Sequence, residues 1–220
     1  MSSLKKKLYR RFKILPQSFT TLLYQSINLR RNFGRTASIK KLVSKHFPPQ
    51  QPDRIAVDLG CGKKPKNPFC ADTIFGVDIR EDLELGILKA DLSKQSIPFD
   101  SNSLDFCTAF DFIEHMPRII ELEGKTHFCF IELMNEIYRV LKPGGILLHA
   151  TPAYPAKEAF QDPTHVNIIT EDTFPYYFCL PYLWASELGY GFRGAFELVD
   201  QAWLNNTHIV SILKAIKNGN

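Results

Sequence analysis

Apolar positions change their spacing along this chain in a way that separates strands from helices. Ile55, Ala56, Val57 and Leu59 form a short run broken only by Asp58, and the run stops at Gly60 and Gly62. A near-continuous apolar run of this length predicts a strand buried on both faces of a parallel sheet. Residues 74–78, 87–92, 104–110 and 146–150 repeat the pattern as the second to fifth strands. Between the last two, Phe130, Ile131, Met134, Ile137 and Val140 recur at helical spacing. They predict a helix over 126–140 that covers the sheet and stops at Lys142-Pro-Gly-Gly145. Residues 196–204 and 207–213 read as two strands joined by a tight turn at Asn205-Asn206. Residues 33–46 read as a helix with Thr36 or Ser38 near its start, stopped by the proline-rich stretch 47–52. Strands alternating with helical segments predict an α/β chain.

The first loop has its own signature. Gly60 and Gly62 let the backbone turn sharply and approach a ligand with no Cβ in the way. Lys63-Lys-Pro65-Lys-Asn-Pro68 follows, and its prolines forbid a regular helix interior. The first crossover is therefore expected to be a short helix or an irregular loop. Asp78 closes the second strand, where a carboxylate can accept a hydrogen bond from each hydroxyl of a ribose.

Val57-Asp-Leu-Gly-Cys-Gly62, Gly76-Val-Asp78 and Leu141-Lys-Pro-Gly-Gly145, with Glu114-His115 between them, resemble the class I S-adenosylmethionine-dependent methyltransferases of the small-molecule, type 11-like branch. The match runs in order over residues 53–155. The resemblance implies a Rossmann-like, doubly wound seven-stranded sheet whose antiparallel last strand comes from the C-terminal hairpin. It implies S-adenosyl-L-methionine as cofactor, met by Asp58, Gly60, Cys61 and Gly62 in the first loop, Asp78 and Ile79 after the second strand, and Phe110 at the tip of the fourth. It further implies that Asp91 accepts from the adenine amino group and that Leu92 packs on the ring. On the residues alone, Asp91 could equally cap a turn, a task for which Ser93 competes.

Ligands in open α/β sheets sit beyond the carboxyl ends of the strands, which points to the segment after Phe110. If that segment is helical, Asp111, Glu114 and His115 lie at i, i+3 and i+4 and share one face. They could be a general base with an orienting partner, part of a metal site that the distant His165 could complete, or a pair that braces the loop. No residue is assigned to a metal. Phe160-Gln-Asp-Pro-Thr-His165-Val-Asn167 follows the fifth strand, where the superfamily inserts substrate-binding segments. His165 is a candidate base, and Gln161 and Asn167 could hold a polar substrate. Its Asp-Pro-x-His loop is similar to loops of relatives in glycan and surface-polysaccharide pathways. That similarity implies methyl transfer to a small-molecule or glycan-type acceptor, at a hydroxyl. The aromatic stretch 174–184 is expected to pack in the core, with Tyr176, Tyr177 and Tyr182 available to line a pocket. Two other readings compete. One is a binding or regulatory protein that keeps the methyltransferase fold without its chemistry. The other is a nicotinamide oxidoreductase, against which stands the lack of Gly-x-Gly-x-x-Gly followed by a regular helix.

Charge adds an asymmetry to this picture. Residues 1–52 hold 12 of the 27 Lys and Arg and no Asp or Glu, so the remainder carries 15 basic against 23 acidic groups, or −8. The expected organisation is a basic, helix-containing extension over 1–52 and a methyltransferase domain over 53–220. Leu4, Leu8, Phe12 and Leu15 recur at helical spacing among the basic residues of the extension. That pattern fits a helix on an anionic membrane surface, a lid on the domain, or an organellar transit peptide. No apolar run is long enough to span a bilayer. The five cysteines show no Cys-x-x-Cys spacing, as expected of reduced thiols in a cytoplasmic protein with peripheral membrane contact at most. The extension lacks a base-stacking aromatic series, so no nucleic-acid partner is expected.

Overall fold

The computed structural model describes residues 38–122 and 124–217. The amphipathic stretch 4–15 and Thr36 lie outside the described residues. Helix α1 (Ile39–His46) is capped by Ser38, whose hydroxyl accepts from the Lys41 N–H at 3.1 Å. Strands β1 (Gln51–Leu59), β2 (Ala71–Asp78), β3 (Ile87–Lys89), β4 (Leu104–Phe110) and β7 (Leu141–Pro152) are mutually parallel. Strands β8 (Phe196–Leu204) and β9 (His208–Ala215) form the C-terminal hairpin, and β9 pairs antiparallel with both β7 and β8. The seven-stranded order is β3-β2-β1-β4-β7-β9-β8, so the last strand in sequence enters the sheet beside β7. Asn205 (φ 50°) and Asn206 (φ 58°) supply the left-handed pair that a two-residue hairpin turn needs.

Alternation along the strands fills two layers. Val57, Leu59, Cys107 and Leu147 face helix α2 (Cys129–Val140), which buries Leu133, Met134, Ile137 and Val140 against them. Ala56, Phe106, Ile146 and Leu148 face the other way and meet Leu42 and Val43 of α1. There Phe69 stacks on Phe106 with ring centroids 4.3 Å apart. Helix α1, of 8 residues, is too short to persist alone in water. Burial of Leu42 and Val43, at roughly 1.5–3 kcal/mol each, holds it to the sheet. Lys45 adds an ion pair and His46 a hydrogen bond to Asp200 of β8.

Because α1 packs into the sheet's core, the compact unit runs over Ala37–Asn220, and the boundary expected at 52/53 falls inside it. Three further expectations shift. The helix expected from residue 126 starts at Cys129, because β6 (Lys125–His127) instead forms an antiparallel ribbon with β5 (Ile120–Leu122). Leu141 leads from α2 directly into β7, so this strand starts before the glycines. Residues 60–70 carry no helix, as Pro65 and Pro68 require. The remaining helices are short: α3 (Glu158–Gln161), α4 (Thr173–Phe178) and α5 (Trp184–Glu187). Phe174 and Phe178 of α4 are fully buried, whereas Tyr182 and Trp184 stay exposed. No helix among the described residues is long and apolar enough to cross a membrane.

At the opposite end of the sheet from the glycine loop, the buried Asp105 carboxylate accepts from Arg54 at 2.6 Å, Lys142 at 2.7 Å and the Ile55 N–H at 3.0 Å. Burial pushes its pKa up, but these donors outweigh that and hold it below the ordinary 3.8. A depressed folded pKa stabilises fully above the ordinary value and is lost as pH falls through the folded one. Asp105→Asn is therefore expected to cost about 1–2 kcal/mol at neutral pH, since both cations keep solvent contact. Urea midpoints of the two proteins should converge once the pH drops below the carboxylate range. A gap that persisted there would show that packing, not charge, sets the loss.

Candidate functional site

The glycine loop is tied to β2 from above. Gly60 and Cys61 donate to the Val77 carbonyl at 2.8 and 3.4 Å, and Gly62 donates to Asp78 Oδ2 at 2.9 Å. Gly60 (φ +63°) has no room for a side chain, because a Cβ there would lie 2.4 Å from the Phe112 ring. Gly62 (φ +64°) has nothing within 4 Å of its Cβ position, so its backbone faces open space. Gly76 is needed for close approach, since a Cβ would meet Cys61 Sγ at 2.4 Å. Burial, then the nearby Asp58 and Asp78 carboxylates, push the Cys61 thiol up to about 11, which keeps it protonated.

Two of the expected cofactor contacts have other employment. Asp58 is 1% exposed. Its Oδ1 accepts from Thr108 Oγ1 at 2.6 Å and its Oδ2 from the Lys66 N–H at 2.9 Å, so it braces the loop from below instead of facing a ligand. Asp91 Oδ1 accepts from both the N–H and the hydroxyl of Ser93, the turn-capping alternative. Its Oδ2 lies 3.7 Å from Lys94, and the side chain is half exposed. Leu92 packs against the core cluster beside it.

Asp78 is placed as expected at the tip of β2, 8% exposed. Its Oδ1 accepts from the Arg80 N–H at 3.2 Å and from Arg80 Nε at 3.0 Å. Burial raises its pKa, but the Arg80 and Gly62 donors prevail and keep it ionised. The Arg80 side chain is 64% exposed, so of the two donors to Oδ1 its Nε is the solvent-facing one. Ile79 projects into solvent at 67% exposure, a large apolar surface beside the carboxylate. An open glycine backbone, an ionised carboxylate at a strand tip and an unburied apolar side chain next to it fit a nucleoside carrying an amino acid chain. Asp78, Ile79, Gly62 and Leu92 are the residues that would hold S-adenosylmethionine.

At the tip of β4, Phe110 is buried under Lys66, whose ammonium lies 4.9 Å over the ring. Asp111 takes a positive φ of 51°, which breaks the helix expected from this point. Only a 3₁₀ turn, Ile113–His115, follows. Asp111 consequently leaves the face shared by Glu114 and His115. It pairs with His208 Nε2 at 2.8 Å, and His208 Nδ1 meets Thr207 Oγ1 at 2.7 Å. The His208 hydrogen bond holds the Asp111 carboxyl below its ordinary value. His208 escaped the sequence reading, although the antiparallel sense of β9 places its first residue on the same rim as the carboxyl ends of β4 and β7. Asp111 and His208 line a cavity of about 550 Å³ with Lys66, Asn67 and Phe110.

Glu114, His115 and His165 do come together. One donor atom of each lies within 4.8 Å of the others. The two imidazoles meet edge to face with centroids 4.7 Å apart. The loop that carries His165 is clamped to the 3₁₀ turn. Val166 and Asn167 N–H donate to the Glu114 carbonyl at 2.9 and 3.1 Å. Asn167 Nδ2 donates to the Ile113 and Met116 carbonyls, so Asn167 holds the loop and has no amide N–H left for a substrate. Arg118 donates to the Val166 carbonyl. Gln161 lies exposed at the end of α3. Glu114 is 1% exposed, accepts from Thr151 Oγ1 at 2.7 Å through Oε2, and has no partner for Oε1. Burial pushes its pKa up, partly offset by Thr151. His165 Nδ1 is likewise buried without a partner. Thr151 and Thr164 are the supporting residues that the sequence reading missed. A hydroxyl at a strand tip was the available signal for the first. The second was hidden because its partner is 49 residues away.

A family profile described as a methyltransferase domain matches residues 30–183. No curated protein matches. Among solved structures, an S-adenosylmethionine-dependent methyltransferase from Aquifex aeolicus superposes with a TM-score of 0.51 at 13% identity, covering 80% of this chain and 89% of that one. Another, from Archaeoglobus fulgidus, gives 0.50 at 16% identity over 87% of this chain and 99% of its own. The 4+2 cyclase SpnF gives 0.53 at 15% identity over 82% and 80%. At these identities the structures establish the shared fold, and the sequence profile establishes the kinship. With the seven-stranded sheet, the glycine loop and the Asp78 carboxylate in their expected places, the chain belongs to the class I S-adenosylmethionine-dependent methyltransferases.

Proposed function

We propose that this methyltransferase acts on a hydroxyl of a small-molecule or glycan-type acceptor, and that Glu114, His115 and His165 face that hydroxyl. The supporting observation is a pair of buried acceptor atoms with no donor, Glu114 Oε1 and His165 Nδ1, in one cluster after the tip of β4. A buried lone pair left without a donor costs about 1–3 kcal/mol, and an acceptor O–H would remove that cost at one of the two atoms.

When bound, S-adenosylmethionine supplies a methyl group on a sulfonium that leaves as a neutral thioether. Asp78, held by the Gly62 N–H, would accept from the ribose hydroxyls, and Gly62, with no side chain, would leave room for the bound cofactor. The cluster orients the acceptor oxygen and receives its proton as the O–CH₃ bond forms and the S–CH₃ bond breaks. The clamp from Asn167 and Val166 to the 3₁₀ turn fixes His165 relative to Glu114, which is the positioning such a transfer needs. Beside the clamp, Phe128, Phe130, Tyr177 and Tyr190 line a cavity of about 790 Å³ to which Asn167 and Arg118 also belong. Aromatic faces with hydroxyl rims suit the body of a sugar or a similar ring compound. The 4+2 cyclase on the same fold favours keeping a second reading, in which the fold binds the cofactor but performs other chemistry or none.

Asp78→Ala removes the ribose acceptor, and calorimetric titration with S-adenosylmethionine should show roughly 10–100-fold weaker binding. Unchanged affinity would dismiss the placement of the cofactor. Incubation with methyl-labelled S-adenosylmethionine and a panel of sugars, phenols and amines should put label into base-stable ethers. His165→Ala should lower turnover about 100-fold or more with cofactor affinity nearly unaffected. Label confined to amines would overturn the hydroxyl reading, and no transfer to any acceptor would favour the second one.

A further inference from the structure

We infer that Glu114, His115 and His165 form a binding site for one divalent transition-metal cation, of the zinc or cobalt class, with an open position for the acceptor oxygen. The use of that open position rests on the hydroxyl reading above; the cation site itself does not.

Proton positions decide which lone pairs are free. Thr164 Oγ1 donates its single hydrogen to Asp162 Oδ1 at 2.7 Å. It can therefore only accept from His115 Nδ1, 2.8 Å away, which makes that nitrogen the protonated one. The Nε2 lone pair of a neutral His115 is then free. Glu114 Oε2 is taken by Thr151, which leaves Oε1 bare and buried. His165 Nδ1 is bare and buried as well. One potential ligand atom from each of the three residues lies within 4.8 Å of the others, and the Glu114 carboxylate among them is 1% exposed; with its proton on Nε2, His165 offers the Nδ1 lone pair. A cation satisfies all three at once.

The supporting shell has the form that metal ligands need. A ligating histidine typically donates its other ring N–H to an oriented acceptor, which fixes the ring and its tautomer. Thr164, itself anchored by Asp162 through both its hydroxyl and its N–H, does this for His115. Thr151 does the corresponding work for the carboxylate of Glu114. Two imidazoles and one carboxylate favour a borderline cation over magnesium or calcium, which prefer oxygen ligands. A tetrahedral site with bonds of about 2.1 Å places its donors about 3.4 Å apart. The observed spread of 4.8 Å or less closes to that by a small rotation of His115, whose side chain is at the surface. Three protein ligands leave the fourth position open on the exposed side. With the three lone pairs on the cation, the cluster would no longer take the proton itself; an acceptor hydroxyl at the open position would lose it to solvent and meet the methyl group as an oxyanion.

The test uses the full chain after chelation and desalting, titrated calorimetrically with Zn²⁺ alone, and with Co²⁺ followed by its visible ligand-field bands. One equivalent of Zn²⁺ should bind, with the intense bands of four-coordinate Co²⁺. His115→Ala, an exposed position whose loss leaves the core intact, should weaken binding roughly 100-fold. Thr164→Val should weaken it about 10–100-fold through loss of ring orientation. His127→Ala, a histidine outside the cluster, should change nothing. Failure to bind one equivalent, or binding unaltered in both His115→Ala and His165→Ala, would overturn the site. The titration needs neither cofactor nor acceptor, so it separates the two readings. Zinc bound without any hydroxyl methylation would remove the function proposed above and leave the cation site standing. Hydroxyl methylation undiminished in the chelated protein would do the reverse for the role of the open position.

Discussion

The Asp58 carboxylate is the constraint on which the functional end of this molecule depends. It is almost fully buried, and it is satisfied by a hydroxyl from β4 and a main-chain N–H from the loop after β1. In most doubly wound sheets a helix starts just beyond the first strand and its own hydrogen bonds shape the turn. Here prolines at 65 and 68 exclude such a helix, so the loop has to borrow its shape from elsewhere. Asp58 holds it to the neighbouring strand, and Gly62 holds it to the next strand through Asp78. Burying a carboxylate is costly unless it is fully hydrogen-bonded. The consequence is a turn whose amides at Gly60, Cys61, Gly62 and Lys66 are all tied down by neighbouring strands and carboxylates, without the support of a helix.

The second half of the site follows a similar logic. Residues 113–116 form barely one 3₁₀ turn, too little to define side-chain positions by itself. The loop 162–167 fixes it with two main-chain N–H groups, one side-chain amide and the Thr164 hydroxyl. Asn167 therefore serves the architecture that a polar substrate would otherwise have to find ready-made. His115 and His165 owe their proximity to this clamp.

Much of the sheet was legible in the sequence because strands that are buried on both faces leave nearly continuous apolar runs, and Asn205-Asn206 could only be a hairpin turn. The missing first helix was legible for the same kind of local reason, two prolines. Other features were not local. Asp58 sits in an apolar run like any strand-tip acid, and nothing in the chain says that Thr108 waits for it inside. Asp111 shares helical spacing with Glu114 and His115, but its positive φ redirects it to His208, 97 positions later. The β5–β6 ribbon has three-residue strands, below the length at which alternation can be seen. The meeting of Glu114 with His165 depends on a loop whose anchoring bonds are all long-range.

Phe112 joins the two halves. Its ring occupies the space a side chain on Gly60 would need, and the next residue begins the turn that carries Glu114. Phe112 thus stands between the glycine loop and the turn that carries Glu114. Whatever displacement of that ring accompanies a ligand at the loop must be accommodated at the cluster too, and the free energy of that accommodation is the same whichever ligand arrives first. If the loop holds the donor and the cluster the acceptor, as proposed, two sites flanking a common side chain would report on each other's occupancy.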